Sequence, residues 1–279
     1  MEVVRILVVG DTVGKPGREA CKKIIPKLRE TRDLDLVVVN GENVAAGSSI
    51  THDTAEELFA SGADIITTGD HIFRKKEGIA LVQENPLVLR PLNYPKGTPG
   101  NGSAVIMTKT GVKVGIVNLM GRVFIQNLDC PFQAAESAVK SLKSQTQIIL
   151  IDLHAEATSE KVAMGWFLDG QVSAIFGTHT HVQTSDETIL PKGTAYITDI
   201  GMTGPFRSVI GRDIDQVLHR FKTQMPGPMD VATEDVRLSG AIVEIEVKSG
   251  KARSIERVHE KLNKISSPLM GEDKGGGAT

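Results

Sequence analysis

The sequence predicts a layered α/β fold in which mixed β-sheets are flanked by helices. Short, continuous Val/Ile/Leu runs recur along the chain, and helix-compatible stretches fall between several of them. Unbroken apolar runs suit strands covered on both faces, and strands alternating with helices stack into layers. Two pairs of neighbouring runs are joined by short turns, at Lys109-Thr110-Gly111 and at Ser249-Gly250. Each reads as an antiparallel hairpin, so the sheets are expected to be mixed.

In chain order, strands are expected at residues 5–10, 35–40, 64–69, 102–108, 113–119, 147–153, 172–177, 194–200 and 240–247, the last continuing through its hairpin to 258. The N-terminal run is short, lacks a small-residue cleavage site and passes directly into Gly10-Asp11, which reads as a buried strand rather than a signal peptide. Helices fit residues 19–30, 53–61, 75–84, 132–144, 159–168 and 213–222. Pro16 sits where the first would begin, and Thr51 or His52 precedes the second. There is no internal repeat and no Pro/Gly-rich linker, so residues 1–265 are expected to form one domain. Residues 266–279, ending Gly275-Gly276-Gly277-Ala278-Thr279, read as a disordered tail.

Composition excludes several classes. The 279 residues carry 32 Lys+Arg against 34 Asp+Glu, a formal charge of −2, so no global field draws nucleic acid or anionic lipid. Eight Phe, two Tyr and one Trp are too few for an extended base-stacking platform. No apolar run approaches the roughly 20 residues of a membrane-spanning helix. Cys21 and Cys130 are isolated, which argues against a disulfide scaffold or zinc ribbon and for a cytoplasmic, reducing location. Gly10-Asp11-Thr12-Val13-Gly14-Lys15-Pro16 lacks the spacing of a phosphate loop, and no GxGxxG follows the first strand.

The chemistry collects where strands end. Asp11 follows the first run, Asn40-Gly41-Glu42-Asn43 the second, and Asp70-His71 the third. His154 ends the run at 147–153, with Glu156 nearby, and His179 and His181 follow the run at 172–177. In open α/β sheets the ligand crevice lies beyond the carboxyl ends of the strands, so these ends can converge. A single Asp after a strand commonly closes a turn or caps a helix. His179-x-His181 is more specific, because alternate residues on an extended segment face one side. Carboxylate, amide and imidazole together suit Fe, Mn, Zn or Co rather than Ca. His52, His219 and His259 lack this setting and read as surface or capping residues.

These residues, in this order, resemble the motifs of calcineurin-like metallophosphoesterases: Gly10-Asp11, Asn40-Gly41-Glu42-Asn43, Gly69-Asp70-His71, His154 and Gly177-Thr178-His179-Thr180-His181. The strings 152–160, 177–184, 198–205 and 208–211 resemble the YmdB-like branch, and the resemblance runs over roughly residues 3–260. The superfamily's Asp-x-His is here Asp11-Thr12-Val13 and its bridging Asp is Glu42, both features of that branch; its Gly-Asn-His is here Gly69-Asp70-His71.

The resemblance implies a calcineurin-like four-layer α/β/β/α sandwich of two mixed β-sheets flanked by helices. It implies two divalent ions, Fe foremost and Mn, Zn or Co as alternatives. Asp11, Glu42, Asn43 and His181 would hold one ion; Glu42, Asp70, His154 and His179 the other. The implied reaction is hydrolysis of a phosphodiester, with 2′,3′-cyclic nucleotides the expected substrates. A metal-bridging hydroxide would attack phosphorus while His71 acts as general acid. Thr203, Gly204 and Arg207 are placed at the substrate, and a homo-oligomer is expected. Two other readings stay open: a nucleotide- or RNA-binding regulator using the same pocket, and a metal-dependent amidohydrolase, which also uses a His-x-His pair.

Overall fold

The computed structural model describes residues 2–263; the tail expected at 266–279 lies outside the described residues. The elements run β1 (Val3–Val9), β2 (Asp11–Thr12), α1 (Gly14–Thr31), β3 (Leu36–Asn40), α2 (His52–Ala60), β4 (Ile65–Thr67), α3 (Lys76–Glu84), β5 (Ser103–Met107), β6 (Lys113–Met120), α4 (Pro131–Leu142), β7 (Ile148–His154), α5 (Thr158–Leu168), β8 (Ala174–Thr178), β9 (Thr188–Ile189), β10 (Ala195–Ile197), β11 (Met202–Pro205), α6 (Ile214–Thr223), β12 (Val236–Glu246) and β13 (Ala252–Lys261).

Two mixed sheets form. The first is ordered β2-β11-β12-β1-β3-β4, with β13 also paired to β12; the second is β5-β6-β7-β8-β10-β9. β1, β3 and β4 run parallel, as do β6, β7, β8 and β10. Both expected hairpins are present, β5–β6 and β12–β13, each antiparallel.

The alternation of side chains along β1 builds the layers. Val4, Ile6 and Val8 face inward, where they meet Ile116, Leu150 and Phe176 of the other sheet. Leu7 and Val9 face outward and pack against Ala20, Ile24 and Leu28 of α1 and Leu58 of α2. On the far side, Ile149, Ile151 and Leu153 of β7 meet Val139 of α4 and Met164 of α5. The order helix, sheet, sheet, helix is the expected four-layer sandwich. Strands covered on both faces explain the unbroken apolar runs, each buried Val, Leu or Ile contributing about 1.5–3 kcal/mol.

The departures lie at ends and in short strands. The helix expected from residue 19 begins at Gly14, whose φ of 57° turns the chain out of β2, and Pro16 falls in its first turn. The strand expected at 194–200 stops at Ile197, because residues 198–201 leave the sheet. β2, β9 and β11 are two to four residues long and have no readable period.

Candidate metal centre

Each predicted ligand stands at the carboxyl end of a strand because the chain must turn there. Gly10 lets β1 pass into β2: a Cβ on it would lie 2.0 Å from the Gly201 carbonyl oxygen. Asp11 follows, fully buried. After β3, the Asn40 amide oxygen accepts from the Glu42 backbone N–H at 3.2 Å and directs Glu42 inward. Asp70 and His71 follow β4, His154 is the last residue of β7, and His179 and His181 follow β8.

His179 and His181 have φ of 97° and 66°. Such conformations cost non-glycine residues about 1–3 kcal/mol each and persist only when the surroundings impose them. Here the His179 N–H donates to Asp11 Oδ2 at 2.9 Å. Thr180 donates its N–H and hydroxyl to Asp199 Oδ2, at 3.2 and 2.7 Å, and the buried Lys161 ammonium donates to the same oxygen at 2.7 Å.

Glu42, Asp70, His154 and His179 each offer one ligand atom within 4.8 Å of all the others. His154 Nε2 is 3.1 Å from Glu42 Oε2, 3.3 Å from Asp70 Oδ1 and 3.0 Å from His179 Nδ1. Asn43 joins this group to the remaining residues. Its Nδ2 donates to Glu42 Oε1 at 2.8 Å and lies 3.3 Å from His181 Nε2, while its Oδ1 accepts from His71 Nδ1 at 2.7 Å. His71 Nε2 is 3.4 Å from Asp70 Oδ2.

Hydrogen-bond partners locate several protons. His181 Nδ1 faces the Ile210 carbonyl at 3.0 Å and must donate, which leaves Nε2 bare toward Asn43. His179 Nε2 faces Glu156 Oε2 at 3.1 Å, and in the neutral ring this leaves Nδ1 bare toward His154 and Asp70. Fixing the far nitrogen in this way is how metal-binding imidazoles are oriented.

The electrostatics call for a cation. Burial, then the Asp199 charge, pushes the Asp11 carboxyl up to about 7. Burial, with Asp11 and Asp70 beside it, pushes Glu42 well above the usual carboxylate range. Burial drives His154 down to about 3 and His71 down to about 4, with Asp70 pulling the other way in each. Neutral imidazoles cannot balance clustered carboxylates. Asp11 Oδ1 is buried with no hydrogen-bond partner among the described residues. A Cβ on Gly69 would lie 2.1 Å from Glu42 Oε2 and 2.3 Å from His154 Nε2, so these ligand atoms close against bare backbone. An orphaned carboxylate oxygen, bare ring nitrogens and mixed O/N donors fit a divalent transition metal.

The three residues expected at the substrate lie outside this cluster. Thr203 and Gly204 lie within β11, where the Thr203 hydroxyl donates to the Ser239 carbonyl and Gly204 pairs with Arg237. Arg207 is exposed and ion-paired with Glu234 at 2.7 Å. Their neighbours Met202, Phe206 and Ser208 instead line a cavity of about 630 Å³ that reaches His181. His52 pairs with Glu84, and His259 packs its ring edge-to-face against Phe206. Sequence reasoning assigned no role to Asp152, Lys161 or Asp199. Their only signal was membership of the strings 152–160 and 198–205, or a position just beyond one.

Two mixed sheets between helices, with acidic and imidazole side chains at the strand ends, define a calcineurin-like sandwich with a metal-type site. The YmdB-like protein family model matches residues 7–258, and the chain belongs to the YmdB-like family. It is 46% identical over 255 residues to the 2′,3′-cyclic-nucleotide 2′-phosphodiesterase of Bacillus subtilis strain 168, covering 91% of this chain and 96% of that protein. Among solved structures, it resembles a phosphatase of Mycoplasma pneumoniae at TM-score 0.87 and 35% identity, covering 94% of each chain. It also resembles a Thermus thermophilus protein at TM-score 0.85 and 39% identity, covering 92% of this chain and 99% of that one.

Proposed function

We propose that this protein is a metal-dependent phosphodiesterase that hydrolyses 2′,3′-cyclic nucleotides. The observation that carries the reading is the convergence of Glu42, Asp70, His154 and His179, supported by the activity for which the Bacillus subtilis relative is named. Asp11, Glu42, Asn43 and His181 would hold one ion, and Glu42, Asp70, His154 and His179 a second, with Glu42 shared. Bound divalent ions would supply positive charge to the phosphoryl oxygens and make water nucleophilic at neutral pH. Fe is the favoured metal, with Mn, Zn or Co suited to the same donors.

The side chains do the rest. Asn43 Oδ1 fixes the His71 ring through Nδ1. His71 Nε2, bare in the neutral ring, would take up a proton from solvent and pass it to the leaving oxygen. At rest burial keeps His71 neutral. An anionic phosphate beside it raises its proton affinity. The cavity next to His181 falls within the roughly 300–1,000 Å³ typical of small-molecule sites and has room for a nucleoside.

The test is to load the purified protein with Fe, Mn or Co and assay 2′,3′-cyclic AMP beside bis-p-nitrophenyl phosphate. Turnover of both is expected. Metal-replete protein that turns over neither sinks the proposal, and tight nucleotide binding without product would assign the pocket a regulatory role.

A further inference from the structure

Asp152 takes no part in the ligand set, yet it is fully buried where the two sheets meet. Its Oδ2 accepts from the Thr67 hydroxyl at 2.5 Å, at the end of β4, and from Asn40 Nδ2 at 3.1 Å, at the end of β3. Its Oδ1 accepts from the Thr178 hydroxyl at 2.7 Å, at the end of β8. Asp152 itself is on β7. One carboxylate thus ties together the strand ends that deliver Glu42 and Asp70 from the first sheet and His154 and His179 from the second.

The direction of these bonds matters more than their number. In its ionised form Asp152 only accepts, so the single Thr178 hydroxyl proton is then committed to it. Thr178 Oγ1 then has only lone pairs to offer His154 Nδ1, which lies 3.0 Å away. His154 Nδ1 must therefore carry the ring proton, and Nε2 must be bare toward Glu42 and Asp70. The Asn40 amide cannot relax this constraint, because its Oδ1 is occupied by the Glu42 N–H, which turns its Nδ2 toward Asp152.

We propose that Asp152 is a positioning residue that acts through Thr178 to hold His154 in the Nδ1-protonated tautomer, keeping Nε2 available as a ligand. The proposal deepens the reading of the site as a metal centre and rests on it for its consequence, but not for the tautomer itself. Asp152→Asn is the informative variant because it preserves shape. If its new NH₂ faces Thr178, the hydroxyl must donate to His154 Nδ1 and move the ring proton to Nε2. If it turns the other way, it meets the Asn40 NH₂ donor to donor.

Long-range ¹H–¹⁵N spectra of histidine-labelled, metal-free protein at pH 8 read the tautomer directly. The wild type is expected to show His154 protonated at Nδ1, Asp152→Asn and Thr178→Val to show it shifted toward Nε2 or mixed, and Thr178→Ser to restore it. Mn²⁺ titration of the same proteins should show affinity about 10–100-fold weaker in Asp152→Asn and Thr178→Val, with Thr178→Ser near wild type. An Nε2-protonated His154 in the wild type, or a tautomer indifferent to both Asp152→Asn and Thr178→Val, overturns the proposal. Wild-type protein that shows the expected tautomer yet binds no metal supports the relay and overturns the metal-centre reading instead.

Discussion

His154 Nε2 and His179 Nδ1 stand 3.0 Å apart, with their rings edge to face at 4.7 Å between centroids. Thr178 and Glu156 occupy the opposite nitrogens, so with both rings neutral and protonated on those sides the facing nitrogens present lone pairs. Two lone pairs at that distance repel unless a cation lies between them and the adjacent carboxylates.

Metal should therefore stabilise the fold. At a hundredfold excess of free ion over Kd, linkage gives about 2.7 kcal/mol. Thermal unfolding in EDTA against saturating Mn²⁺ measures it; identical midpoints would argue that no cation binds the folded chain.

His71 touches Asn43 and Asp70 and is outside the proposed ligand set. His71→Ala should retain its metal while kcat falls about 10²–10⁴-fold. Elemental analysis alongside steady-state kinetics separates the two effects, and loss of metal would reassign His71 as a ligand.

Gly69→Ala should act on the site more than on the fold. The added methyl would collide with Glu42 Oε2 and His154 Nε2, so metal affinity should drop at least about tenfold. Gly227→Ala is the control, because a Cβ there meets nothing within 4 Å among the described residues. Equal Mn²⁺ affinity in both variants would refute the close approach.

Lys161 and Asp199 are each only 1% exposed and pair at 2.7 Å. Lys161→Met leaves Asp199 buried and uncompensated beneath the His179-Thr180-His181 turn, at a cost of about 3–5 kcal/mol. The double variant with Asp199→Asn should cost less than the sum of the single changes. Urea unfolding of the four proteins decides it.

Burial opposes ionisation of Asp186, but hydrogen bonds from Thr184 and from the Thr198 hydroxyl and N–H hold its carboxyl below the usual value of 3.8. A depressed carboxyl contributes stability above the unfolded value and loses it as pH falls through the folded one. Asp186→Asn should thus be less stable than wild type at neutral pH, with the gap closing below about pH 4. Urea midpoints measured in chelator from pH 7 to pH 3 test this; a constant gap would mean that the charge contributes nothing.

Most strands were legible because layering buries both of their faces and leaves continuous runs such as Leu36–Asn40 and Ile148–His154. β2 and β11 were not, since two residues pairing with partners some 190 positions away carry no local period. The acidic and imidazole residues of the cluster were legible from their place after strands. The cavity lining was not: Met202, Phe206 and Ser208 line it while Thr203 and Arg207 of the same segment bond elsewhere, and no local pattern separates the two sets.

By itself, the sequence determined the layered α/β class, the strand ends on which chemistry collects and the family to which those motifs belong. These are encoded in local order, as apolar runs, turn residues and the polar residues that follow them. Only the tertiary structure decided which nitrogen of each histidine is bare, that Asp11 keeps an orphaned oxygen, and that Asp152 joins the two sheets through Thr178 to His154. Those features depend on the direction of hydrogen bonds between residues 23 to 168 positions apart, which no local pattern specifies.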